Sequence, residues 1–170
     1  MMRVYVGTTL HDLKALQEQG FPPPVHANAV TPALREWYVE GDQDELEYAA
    51  SVDAARQSLR LLAASTGPVW RRVVVAADVP DAAVHEVTGD VDDSRRSVVR
   101  LDQPLVLAQV VSVHVDDDVA LDDVAAAGAA LAAAEAGDDD AQFTVDGADG
   151  HELLWYDVSE LDDVRRLAGS

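Results

Sequence analysis

The sequence predicts a single α+β domain in which a small mixed or antiparallel sheet packs with about five helices. Short runs rich in β-branched residues, at 3–7, 69–79, 97–101 and 109–116, alternate with helix-patterned stretches. No internal repeat or low-complexity linker divides the 170 residues, so one domain over 1–170 is expected. With 48% hydrophobic residues, a chain of this length buries roughly 70% of its unfolded surface, enough for a real core.

Residues 3–7 read as the first strand, from Val4, Tyr5 and Val6. Thr9 is placed to cap the helix that follows, which aligns Leu10, Leu13 and Leu16 on one face and ends at Gly20. Three consecutive prolines, Pro22 to Pro24, make 21–29 a stiff, extended connection. Thr31 before Pro32 starts a short helix that stops at Gly41, because proline at the first helical position loses no intrahelical bond. A long helix over about 43–65 carries Tyr48, Val52, Ala55, Leu59 and Leu62 as an apolar stripe. Residues 69–79, between two prolines, form a buried strand, and 90–94 an acidic turn. Two further strands, 97–101 and 109–116, are separated by Asp102, Gln103 and Pro104. An alanine-rich helix then runs through Leu121, Val124, Gly128 and Leu131 to Gly137. The acidic stretch from Asp138 to Asp149 reads as solvated loop, with Phe143 and Val145 alternating like a short strand. Asp149 with Glu152, followed by Leu154, Val158 and Leu161, predicts a C-terminal helix.

Thirty-two acidic against twelve basic residues give a formal charge of -20, the wrong sign for a phosphate backbone, so no nucleic-acid partner is expected. With no cysteine, thiol nucleophiles, thiolate metal sites and disulfides are excluded, as suits a reducing cytoplasm. The longest apolar run, 105–113, is half of what a membrane helix needs, about 20 residues. A cytoplasmic, water-soluble protein without a membrane partner is the expectation.

Six segments together resemble a family of uncharacterised actinobacterial proteins: MRVYVGTTL (2–10), TPALREWY (31–38), DELEYAA (44–50), RRVVVAADVP (71–80), SVHVDDD (112–118) and HELLWYDVSEL (151–161). The resemblance covers nearly the whole chain and implies an actinobacterial cytosolic source, with no assigned activity. The element order over 3–115 also resembles the ADP-ribosyltransferase-like fold, whose first strand presents a histidine or arginine before Gly-Thr to hold NAD. The matching position here is Val6, which can neither bond a ribose nor pair a phosphate. That resemblance implies a divergent or degenerate NAD- or nucleotide-binding protein with its ligand near Gly7, Thr8, Thr9 and residues 35–38.

His114 and Asp116 lie two apart on a strand, so both side chains share a face that could orient an imidazole or hold an ion. The plainer reading is a sheet-edge histidine beside the acidic run Asp116 to Asp118. Ser112 is no triad partner by spacing, since residues two apart on a strand lie about 6.6 Å apart at Cα. Arg35, Trp37 and Tyr38 share a short helix, a combination that stacks on a ring or anchors a partner; alternatively Trp37 and Leu34 are core. Trp155 and Tyr156 invite the same two readings. No nucleotide-binding or hydrolase motif is present, and the five histidines lack ligand spacing, so neither a cofactor nor a metal site is implied. The expectation is a non-catalytic binding or regulatory module with a protein or small-molecule partner, using Arg35, Trp37, Tyr38, Thr8, Thr9, His114 and Asp116.

Overall fold

The computed structural model describes residues 1–87 and 96–169. Seven strands form one sheet: β1 (Met2–Thr8), β2 (Val25–Ala29), β3 (Val73–Val79), β4 (Val84–Glu86), β5 (Val98–Leu101), β6 (Val110–Val115) and β7 (Leu154–Asp157). Their order is β4-β5-β2-β1-β3-β6-β7, and every pairing is antiparallel. Six α-helices accompany it among the described residues: α1 (Leu13–Glu18), α2 (Pro32–Trp37), α3 (Gln43–Ala63), α4 (Leu121–Glu135), α5 (Asp139–Asp149) and α6 (Leu161–Arg166). The expected α+β domain is therefore present, with the sheet antiparallel rather than mixed.

Strand alternation divides the core into two layers. Val4 and Val6, Val73 and Val75, and Val113 and Val115 face one way, against Leu10, Leu13 and Leu16 around α1 and Leu161 and Val164 of α6. Tyr5, Val74 and Ala76 face the other way, under Leu34 of α2 and Leu46, Ala50, Ala54 and Ala55 of α3. A third cluster joins Leu59 and Leu62 of α3 to Val124 and Ala127 of α4 and Val145 and Ala148 of α5.

Alanines on the inner side of α3 let it lie close to β1, and Gly7 completes the fit. A Cβ there would fall 2.1 Å from the Ala54 carbonyl oxygen. One turn further on, the buried Ser58 hydroxyl donates to the Thr8 carbonyl (2.6 Å) and accepts from the Val73 amide (2.9 Å). It thus bonds backbone groups of both β1 and β3 where α3 leaves the sheet.

Several expectations are corrected. Residues 25–29 are extended, but as an interior strand between β1 and β5. The strand expected from residue 69 begins at Val73, because Arg71 and Arg72 fold inward to bond Asp116. The three-residue β4 has no counterpart in the sequence reading. The acidic stretch after Gly137 is helix α5, not loop: Asp138 caps it by accepting from the Ala141 amide (3.0 Å), and Asp139 and Asp140 favour the positive end of its dipole. Phe143 accordingly sits on that helix, exposed, and in no strand. Asp149 ends α5 instead of starting a helix; Leu154–Asp157 is strand β7, and the last helix begins only at Leu161. The acidic turn at 90–94 lies outside the described residues.

Candidate functional site

On β6 an extra residue decides what faces where. Ala76 pairs with Ser112 but Ala77 pairs with Val110, so a bulge at Val111 puts Val110 into the core layer and Ser112 on the opposite face. His114 follows Ser112 on that face, beside Val74 of β3 and Trp155 of β7. His114 and Val74 floor a cavity of about 460 Å³ between α3 and the sheet. Tyr5, Arg72 and His114 line its base, Glu47, Tyr48 and Ser51 of α3 one wall, and the connection 149–153 the other.

Two arginines near this floor are held by carboxylates. Arg72 Nε donates to Asp116 Oδ2 and Nη2 to Oδ1, both at 2.8 Å, and the Arg72 amide adds a third bond to Oδ2 at 2.8 Å. Both side chains are essentially excluded from water. Arg72 Nη2 also donates to the His151 carbonyl (3.1 Å), while His151 Nε2 meets Asp123 Oδ2 at 2.6 Å and Arg56 donates to Asp149 at 2.6 Å. The 149–153 connection is thereby tied to α3, α4 and the residue that precedes β3.

Two neutral rings remain. Burial, helped by nearby Arg3, holds the His114 imidazole below its ordinary pKa. Burial, and then the Glu47 carboxylate, push the Tyr5 phenol up, with Arg3 opposing. Ser112 Oγ lies 3.0 Å from His114 Nε2, a contact the Cα spacing argued against but the side chains make. Ser112 itself is buried.

The residues singled out in the sequence occupy four places. His114 faces the cavity; Asp116 lies behind Arg72, and no hydrogen bond joins the two. Trp37 and Tyr38 line a second hollow on the other flank of α3, of about 730 Å³, which meets the first at Asp44, Tyr48 and Val52. Trp37 is 56% exposed, with the Arg96 guanidinium 3.6 Å from its ring centroid, so it is not the core residue of the plainer reading. Arg35 turns away, donating to Gln43 (2.8 Å) beside Arg3 and Asp78. Thr8 and Thr9 are buried; Thr9 Oγ1 accepts from the Asp12 amide (3.2 Å) and borders a hollow with Leu62 and Pro68, apart from residues 35–38.

Nothing in the sequence marked Tyr5 or Arg72 as cavity residues. Tyr48, expected on the apolar stripe of α3, is 57% exposed; alanine-rich packing turns Leu46, Ala50 and Ala54 inward and leaves Tyr48 on the outer ridge. Trp155 is 60% exposed on edge strand β7, whereas Tyr156 packs against the core. Among the described residues, no group of histidines and carboxylates is arranged to hold a metal ion, and no helix is long and apolar enough to cross a membrane.

Fold and cavity define a single-domain α+β protein with an antiparallel sheet partly roofed by one long helix. The chain belongs to a family of unknown function, DUF6912, whose family model matches residues 2–164. Comparison with curated proteins and with solved structures gives no significant match.

Proposed function

We propose that the protein is a non-catalytic binding module that holds a small uncharged ligand in the cavity between α3 and the sheet. The observation that carries this reading is the pairing of Tyr5 and His114: both line one cavity of ligand size, and burial drives both toward their neutral forms. Neutral phenol and imidazole offer a donor and an acceptor without demanding a counter-charge. Arg72 and Asp149, the charged groups at the cavity's inner end, are held by Asp116 and Arg56, while Asp44, Glu47 and Glu152 make the wall acidic and disfavour an anionic ligand.

The transferase-like alternative places its ligand next to Gly7, Thr8 and Thr9. Gly7 underlies α3 and both threonines are buried, so the cavity at His114 is the preferred site.

A thermal-shift panel of neutral amides and aromatic alcohols, with NAD, AMP and magnesium alongside, tests the proposal. A saturable rise in Tm with a neutral compound, weakened in both Tyr5→Phe and His114→Ala, supports it. A flat response overturns it, and turnover of NAD replaces it with catalysis.

A further inference from the structure

On the α2 side of α3, Leu34, Trp37, Tyr38 and Tyr48 wall the second hollow, and a single inward carboxylate, Asp53, lies among them. That carboxylate is built in from beneath. Asn28 Nδ2 on β2 donates to Ser97 Oγ (2.9 Å), and Ser97 Oγ donates to Asp53 Oδ2 (2.6 Å). Asn28 and Ser97 are both buried, so the sheet fixes the orientation of Asp53. Its Oδ1 has no hydrogen-bond partner among the described residues.

The geometry points to a second site here, for an organic ammonium ion with an aromatic body, and we propose Asp53 as its anchor. Among the described residues, the lining sets four carboxylates, Asp42, Asp44, Glu45 and Asp53, against two guanidiniums, Arg56 and Arg96. Arg56 is turned to α5, where it donates to Asp149 (2.6 Å) and Asp146 (3.3 Å). Arg96 lies over Trp37, so the indole already attracts one cation to its face. An anionic ligand meets the carboxylates and the overall charge of -20; a cation is drawn by both. Three aromatic walls then cover the ligand's ring.

Burial pushes the Asp53 carboxyl above its ordinary pKa, although Ser97 and Arg56 pull it down. Arg56 and Arg60 act on this carboxylate through their charge, and a bound ammonium adds a positive charge that can also donate to Oδ1. The two hollows share Asp44, Tyr48 and Val52, but Asp53 lines only this one and His114 only the other, so substitution at each tells the two proposals apart.

The test compares 2-phenylethylamine with 2-phenylethanol on the full chain, by isothermal titration and by amide chemical-shift changes. The expected result is that the amine binds at least about tenfold more tightly, with shifts at Trp37, Tyr48 and Asp53, since a charge-assisted bond is at stake. Asp53→Asn, whose amide oxygen still accepts from Ser97, should abolish that preference. A general attraction to an acidic surface would survive loss of one charge among so many, so a preference retained in Asp53→Asn overturns the proposal. Equal binding of the two compounds by the unaltered chain also overturns it. So does a preference lost in His114→Ala and kept in Asp53→Asn, which would put the amine in the other cavity. Should Asp53→Asn fold poorly, Ser97→Ala, which frees the carboxylate from its support, is expected to weaken the preference.

Discussion

Asp116 illustrates how a carboxylate can sit beside a cavity and be closed to it. Its two oxygens accept three bonds from Arg72, side chain and backbone, in a setting without water. Removing Asp116 leaves the buried Arg72 with only the His151 carbonyl and the more distant Asp149 (3.9 Å), so Asp116→Ala should cost about 3–5 kcal/mol, read from urea denaturation. His114 shows the opposite economy, staying neutral because burial and Arg3 disfavour its proton. As pH falls below 6.5, the unfolded chain takes up a proton at this position that the folded chain resists, and stability is lost in that window. His114→Gln removes this contribution; its melting temperature should fall less steeply than that of the unaltered chain between pH 7 and the mildly acidic range.

Helix α3 is the element on which both hollows depend. It approaches β1 only because position 7 has no side chain, with backbone of α3 inside van der Waals distance of any Cβ built there. Gly7→Ala must push α3 outward, and overpacking of this kind costs about 1–3 kcal/mol. Circular dichroism melts should show that loss together with weaker ligand binding on both flanks. Much of this element was legible beforehand: the helix over about 43–65 is observed as Gln43–Ala63, with Asp42 and Glu45 forming a reciprocal cap. Thr31 and Pro32 start α2 as their chemistry requires, Thr31 Oγ1 accepting from the Leu34 amide (3.1 Å). Less legible were elements whose local pattern fits two structures. The contiguous run 153–156 has no strand alternation, and only pairing with β6 makes it β7. The acids after Gly137 suit a solvated loop as well as a helix N-terminus, and packing of Val145 and Ala148 on α3 and α4 decides for α5. The site was legible only in parts. His114 stood out as a histidine, but Tyr5 reaches it only because β3 pairs with both β1 and β6, and strand order is not a local property.

For the molecule as a whole, the sheet is a septum between two unequal halves. Helices α1 and α6 seal one face, while α3 roofs only part of the other and leaves hollows on each flank. The chain carries 32 acidic against 12 basic residues, and the folded state holds these like charges closer than the unfolded chain does. Raising sodium chloride from about 0.01 M to about 1 M shortens the screening length roughly tenfold and should raise the melting temperature, measured by calorimetry. A melting temperature that falls or stays level would show that ion pairs such as Arg56 with Asp149 outweigh the repulsion.

The three tryptophans are distributed so that light can tell these regions apart. Trp37 and Trp155 are wetted, one beside Arg96 and one on the open edge of the sheet, whereas Trp70 lays its six-membered ring directly over Gly128 in the seam between α3 and α4. Fluorescence from a shielded indole comes at shorter wavelength than fluorescence from one in water. The blue side of the emission band is thus a native label for the closed seam, and the red side one for the hollow at Trp37, without any dye attached.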